Sequence, residues 1–174
     1  MIQVRRATAD DGEVIGVVHA ASWEAAYAPF FDESFSAEQI KSRLTRWHDR
    51  VASPEGLIML ATVDGRALAF SWSMRSSAER AEIYSFYGHP DGWGTGVAAA
   101  LMTETLHQLR ADGFTTVHLW TLRDTPQSRR FYAKSGFTET GATTERDFGD
   151  GTPLAQVEYE LELGQPSGQA AIVV

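Results

Sequence analysis

The sequence predicts a mixed α/β fold: a central, mostly antiparallel twisted sheet of about six to seven strands flanked by about four helices. Three observations predict it. Two apolar runs meet at Asp64-Gly65, a two-residue hairpin turn, so their strands are antiparallel neighbours. The stretch from Tyr87 to Leu122 alternates strand, helix and strand, a β-α-β unit whose strands run parallel through a right-handed crossover. Amphipathic helical segments stand before, within and after these strands and supply apolar faces to cover a sheet.

Each element follows from local chemistry. Ile2 to Arg6 alternate apolar and polar residues, as a strand does. Thr8, Asp10 and Asp11 offer helix-start chemistry, so a first helix runs to about Tyr27, before Pro29 breaks it. Ser36 opens a second helical segment, with Ile40, Leu44, Trp47 and Val51 recurring at helical spacing. Strands follow at Leu57 to Val63 and Arg66 to Met74, and a third, Ala81 to Tyr87, runs into a glycine-rich turn. The helix after it, Val97 to Arg110, ends near Asp112 and Gly113, where glycine suits a C-cap. Thr115 to Leu122 is a strand and Thr125 to Ser135 a short helix stopped by Gly136. Strands Phe137 to Thr144 and Leu154 to Leu163 flank the turn FGDGTP. Residues 1–163 read as a single domain and 164–174 as a C-terminal tail.

Bulk properties exclude several classes. With 174 residues, 43% hydrophobic and 22% charged, the chain has the composition of an ordinary soluble domain. No apolar run approaches the ~20 residues that span a bilayer, so no membrane partner is expected. The first residues lack the pattern of a secretion signal, and the cytoplasm is the expected location. The absence of cysteine fits a reducing compartment and removes disulfides, thiolate metal sites and cysteine nucleophiles. His19, His48, His89, His107 and His118 show no metal-ligand spacing, so they read as surface or core residues and no metal is predicted. A formal net charge of −8 without a long basic run argues against nucleic acid. The acidic excess either serves solubility or favours a cationic substrate.

The most informative segment is YGHPDGWGTGVAAAL, Tyr87 to Leu101, a strand delivered into a glycine-rich turn that opens a helix. Gly92, Gly94 and Gly96 permit positive φ and let a ligand approach the main chain. The unpaired N–H groups and positive dipole end of the next helix favour an anion there. The same turn also serves as a tight loop capping a core helix, and the turn alone does not choose.

A second motif chooses. About 35 residues further on, TPQSRRFYAKSGF follows a strand, and the pair of motifs resembles the GCN5-related N-acetyltransferases, the GNAT superfamily, over roughly residues 1–163. In that family WGTGVA stands where the acetyl-CoA pyrophosphate loop reads Gln or Arg, two free positions, Gly, one free position, then Gly or Ala; Gly96 and Ala98 match. The resemblance implies a cofactor site formed by Phe86, Tyr87, Gly88, Trp93, Gly94, Thr95, Gly96, Val97, Ala98, Thr125 and Ser128. Trp93 replaces the family's Gln or Arg, and either covers the ligand or pins the turn to the core. Thr125 replaces a frequent asparagine and equally suits a helix N-cap. Ser128 is the small residue on the side facing CoA.

The resemblance further implies acetyl transfer from acetyl-CoA to a primary amine, directly within a ternary complex. Tyr132 is then the general acid for the CoA thiolate, the Phe86 N–H polarises the acetyl carbonyl, and Glu82 is the candidate base, with a solvated strand-end carboxylate as the alternative. Trp23 and Tyr27, four apart beside Phe30 and Phe31, line the acceptor pocket or belong to the core. The acceptor is a small-molecule amine or a peptide amine, and a homodimer through the C-terminal strand is open. A non-catalytic acyl-CoA sensor or scaffold needs the glycine turn but neither Tyr132 nor Glu82.

Overall fold

A computed structural model describes residues 1–165; residues 166–174 of the expected tail lie outside them. The strands are β1 (Ile2–Arg6), β2 (Leu57–Val63), β3 (Arg66–Arg75), β4 (Arg80–Gly88), β5 (Thr116–Leu122), β6 (Thr138–Arg146) and β7 (Leu154–Glu162). The helices are α1 (Gly12–Tyr27), α2 (Glu33–Thr45), α3 (Trp47–Ala52), α4 (Val97–Ala111) and α5 (Pro126–Lys134). The strands form one sheet in the order β1-β2-β3-β4-β5-β7-β6. Every pairing is antiparallel except β4 with β5, as the β-α-β unit predicts. Asp64 and Gly65 both take positive φ at the β2–β3 hairpin, which suits a turn matched to strand twist.

The sheet has a helical layer on each face. On one face α4 contributes Val97, Leu101, Met102 and Leu109 to a core with Met59, Ile83, Val117 and Leu119. On the other, Ile15 and Val18 of α1 and Trp47 and Val51 of α3 pack on Ile58, Leu60 and Phe70. Both cores bury apolar side chains on alternating strand positions, the main source of stability for a sheet of this kind.

One expectation needs correcting, and one open possibility is narrowed. The helix expected from Ser36 to Val51 is two helices divided at Arg46, and its buried stripe is shifted. Leu44 is 41% exposed, whereas its neighbour Arg43 is 5% exposed. The cause is a close helix approach: the main chain of Arg43 and Leu44 lies directly on Gly16 of α1, where no Cβ intervenes. That approach turns Arg43 inward. The C-terminal strand, for which the sequence leaves pairing between subunits open, is not at an edge: β7 pairs with β5 on one side and β6 on the other. The edge on that side is β6, polar and exposed throughout and interrupted at Gly141, features that discourage further strand addition.

The feature that positions the site is a fork. β4 and β5 pair only from Arg80 with Thr116 to Glu82 with His118. Beyond that point the strands diverge, and the gap is lined from both helical layers.

Candidate active site

The cleft in the fork has a volume of about 220 Å³. β4 supplies Phe86, Tyr87 and Gly88; the turn and α4 supply Trp93 and Ala98; α5 supplies Ser128 and Tyr132; α1 supplies Tyr27. Eight of the residues singled out in the sequence therefore converge on one cleft, although they come from four separate segments.

The turn presents main-chain donors. The N–H groups of Gly94, Gly96, Ala98 and Ala99 donate to no described residue. Gly94 and Gly96 take φ of 76° and 88°, a region that favours glycine. Successive donors at a helix start form a concave anion site, aided by the dipole of α4. The other N–H groups build the turn: Trp93 donates to Pro90 O at 3.0 Å, Thr95 to Gly92 O at 3.2 Å, and Val97 to the Thr95 hydroxyl at 3.3 Å. The Trp93 side chain is 54% exposed and lines the cleft, so it does not pin the turn to the core. Val97 has the converse role: its side chain is buried beneath the turn.

β4 presents a second row of donors. The His89 N–H bonds Leu68 O on β3 at 2.8 Å, and the register pairs Phe70 with Tyr87 and Ser71 with Phe86. Alternation along an antiparallel strand then turns the Phe86 and Gly88 N–H groups away from β3, into the gap. Across it stands Tyr132, 9% exposed, with its ring against Phe86, Phe137 and Tyr159. Burial pushes its phenol up, and the neighbouring Tyr87 adds to the shift, so it stays protonated through neutral pH. Its hydroxyl bonds no described residue.

A turn with free main-chain donors thus lies beside a split parallel pair, with a protonated tyrosine opposite. The sequence model of the Acetyltransferase (GNAT) family matches residues 20–137, which takes in the turn, the fork and Tyr132. The chain belongs to the GNAT acetyltransferase family.

An uncharacterised N-acetyltransferase of Mycobacterium tuberculosis is 29% identical over 138 residues, spanning 78% of this chain and 88% of that protein. The mycothiol acetyltransferase of Thermomonospora curvata is 30% identical over 106 residues, 60% of this chain but 34% of that longer protein. Among solved structures, the PaiA N-acetyltransferase of Thermoplasma acidophilum in complex with coenzyme A has a TM-score of 0.73 at 21% identity, covering 93% of this chain and 99% of that one. The ribosomal-protein-S18-alanine N-acetyltransferase of Escherichia coli has a TM-score of 0.66 at 17% identity, covering 98% of each chain. Both structures share the fold.

Three residues of this GNAT chain stand away from where the sequence reading put them. Trp23 does not reach the cleft: it is 0% exposed, stacked on Phe31 one ring behind Tyr27. Thr125 begins α5, yet its hydroxyl donates back to Leu122 O at 2.8 Å and does not cap the helix. Glu82 stands at the closed end of the fork, paired in register with His118, and holds the Tyr84 phenol above its ordinary value.

Other polar residues of this GNAT chain were not singled out as functional in the sequence. His118 Nδ1 lies 2.9 Å from Glu158 Oε2, while Thr140 donates to Glu158 Oε1 at 2.8 Å. Burial pushes Glu158 up, but the hydrogen bonds from Thr140 and His118 and the Arg80 charge leave it below the usual range. On α1, His19 is 3% exposed and its Nδ1 accepts from Trp47 Nε1 at 2.9 Å. Burial, with the charges of Arg43, Arg46 and Arg50, holds His19 down at about 2. Burial also draws Arg43 down to about 10, still charged at neutral pH. The helical spacing of Arg43, Arg46 and Arg50 on one face was the available signal. Among the described residues, no group of three side chains could hold a metal ion, and no helix is long and apolar enough to cross a membrane.

Proposed function

We propose that this chain transfers the acetyl group of acetyl-CoA to a primary amine by direct attack in a ternary complex, within a single domain of residues 1–163. One observation carries the reading: the Phe86 and Gly88 N–H groups face the open fork, with the protonated Tyr132 across it. The relatives named as N-acetyltransferases and the neighbour holding coenzyme A support it.

In this reading the free N–H groups of Gly94, Gly96, Ala98 and Ala99 hold the pyrophosphate of acetyl-CoA, and the edge of β4 binds its pantetheine arm. The Phe86 N–H donates to the thioester oxygen, where negative charge develops as the amine attacks; such a donor contributes about 3 kcal/mol in other oxyanion sites. The nitrogen lone pair forms the C–N bond, the C–S bond breaks, and Tyr132 delivers its proton to the departing thiolate. Glu82, reached through water, takes the proton that the amine loses. Ser128 leaves room beside the cofactor. Thr125 fixes the end of β5, and Tyr27 borders the acceptor.

The test combines calorimetric titration of acetyl-CoA with a turnover screen over amines. Tyr132→Phe is expected to bind acetyl-CoA as the parent does while kcat falls about 100-fold, the lower range for a lost general acid. Glu82→Gln is expected to shift the acidic limb of the rate profile. Tight acetyl-CoA binding with no turnover on any amine would replace the enzyme by a sensor; an unaltered Tyr132→Phe rate would remove that residue from the chemistry.

A further inference from the structure

The acceptor wall has an unusual polar inventory. Six buried side-chain polar atoms have no hydrogen-bond partner among the described residues, and four of them belong to α1 or α2: Trp23 Nε1, Ser36 Oγ and Arg43 Nε, and His19 Nε2, whose ring packs toward α3 and the sheet. Three of these are obligate donors. Trp23 and Arg43 carry N–H groups with no accepting capacity, and His19 is neutral with Nδ1 accepting from Trp47, so its proton is on Nε2. Buried donors without acceptors are costly, and Trp23 and Arg43, in contact with each other, mark a place shaped for an acceptor supplied from elsewhere.

The charges point the same way. Arg43 is 5% exposed, and a residue of that kind is almost never so buried without a carboxylate. Its Nη1 donates to Gln39 O and Oε1 at 3.1 and 2.7 Å, and its guanidinium lies 4.7 Å from the Trp23 ring centre. No ion pair joins Arg43, Arg46 or Arg146 to a carboxylate among the described residues. The carboxylates of α1 to α3, from Glu13 to Asp49, all face solvent. Arg46 and Arg146 are close enough to depress Arg43 electrostatically, and Arg146 lies over Phe148, whose ring meets Tyr27 at 5.9 Å. This positive cluster, with Arg43 buried, Arg46 half-buried and Arg146 at the exposed end of β6, sits one aromatic ring from the cleft, in a chain whose net charge is −8.

We infer that the acceptor is a small amine carrying a carboxylate, with the carboxylate held between α1 and α2 by Arg43 and Arg46 and the amine directed past Tyr27 into the fork. The inference rests on the acetyltransfer reading for the amine end and on the unpaired donors for the anionic end. A cleft of about 220 Å³ suits a free amino-acid-like molecule. Two arginines and neighbouring N–H donors match the two oxygens of a carboxylate.

The test uses the full chain and matched acceptors: phenylalanine against phenethylamine, tyrosine against tyramine, and the aminophosphonate analogue of each amino acid. The carboxylated member of each pair is expected to have kcat/KM at least about tenfold higher, through KM, as a lost charge-assisted contact implies. Arg46→Gln and Arg146→Gln are expected to shrink that ratio. They are chosen because Arg43→Gln risks failing to fold. Decarboxylated amines accepted equally well, or a ratio unmoved by Arg46→Gln, would overturn the inference; a preference for the phosphonates would overturn the carboxylate. A second readout needs no turnover: N-acetylphenylalanine is expected to bind in calorimetry more tightly than its uncharged carboxamide, and equal affinities would overturn the anion site. Acetylation of uncharged amines would leave the acetyltransfer reading intact while removing this one. Failure to bind acetyl-CoA would remove that reading, leaving the anion site to the calorimetry.

Discussion

The wall of the cleft formed by β4, the glycine turn and α4 offers main-chain N–H groups, from Phe86 and Gly88 to Gly94, Gly96, Ala98 and Ala99. The wall formed by α1 to α3 offers side chains: Tyr27 at the surface, with His19, Trp23 and Arg43 behind it. The first wall keeps its donors under almost any side-chain substitution that preserves the fold, whereas each donor of the second is one residue's identity. In the proposed reading, this division serves a common donor molecule and a variable acceptor. It also explains why Trp93 can stand where the family pattern has Gln or Arg: the groups aimed at the ligand belong to its neighbours.

The largest expected effect separates the walls by force. A Cβ at Gly16 overlaps the Leu44 carbonyl oxygen and touches the Arg43 main chain, both backbone groups that cannot swing aside. Gly16→Ala is therefore expected to push α2 off α1 and to lower stability by about 3 kcal/mol, the upper range for overpacking. Urea unfolding measures this. Acetyl-CoA affinity of the folded fraction is expected to stay within about twofold. A parallel collapse of cofactor binding would mean that the walls are one unit.

A smaller effect reads the acceptor wall through pH. His19 titrates near 6.5 in an unfolded chain and at about 2 in the folded protein. Below pH 6.5 the unfolded state binds a proton that the folded state refuses, so stability is full above that pH and declines steadily as pH falls. The loss between pH 6.5 and 5 is about 2 kcal/mol. His19→Gln, which keeps an acceptor for Trp47 Nε1, is expected to flatten this part of the stability profile. An equally steep profile in the variant would show that His19 is hydrated and that its side of the cleft is not closed.

These two walls were unequally legible in the sequence. Main-chain recognition leaves a trace, because Gly94 and Gly96 need positive φ and because a strand, a turn and a helix must follow one another. The glycine turn and the helix after it were accordingly readable from YGHPDGWGTGVAAAL, and Tyr132 through the family resemblance of TPQSRRFYAKSGF. The local pattern gives the fork only as a parallel pair, and the separation of its strands follows from the family resemblance; its depth depends on how far β5 stays with β4, which no local pattern encodes. On the other wall, aromatic spacing leaves Trp23 either in the acceptor pocket or in the core, and helical spacing puts Leu44 in the core. Helical periodicity ranks faces by hydrophobicity and assigns an arginine outward. Gly16 reverses that locally by letting α2 close on α1, a long-range contact between residues far apart in the chain. Net charge is equally blind to such a face, since −8 for the whole says nothing of helices on which all carboxylates point outward.

The smallest expected effect sharpens the comparison most. Trp93→Ala removes a large side chain that is 54% exposed, while the Trp93 N–H remains bound to Pro90 O and the ligand-facing N–H groups of Gly94 and Gly96 are unchanged. Loss of a partly exposed ring that only covers the ligand is expected to raise the acetyl-CoA dissociation constant by no more than about threefold, within the range of surface substitutions. Gly96→Val supplies the contrast: at φ 88° a β-branched residue costs about 1–3 kcal/mol of backbone strain, although its Cβ would meet nothing closer than Ile2 Cδ1 at 3.8 Å. The helix start relaxes that strain by moving its N–H groups, so acetyl-CoA affinity falls more than tenfold with no ligand-contacting side chain removed. Should Trp93→Ala prove the more damaging of the two in a calorimetric titration, recognition on this wall would belong to the indole ring, and the distinction between a main-chain wall and a side-chain wall would fail.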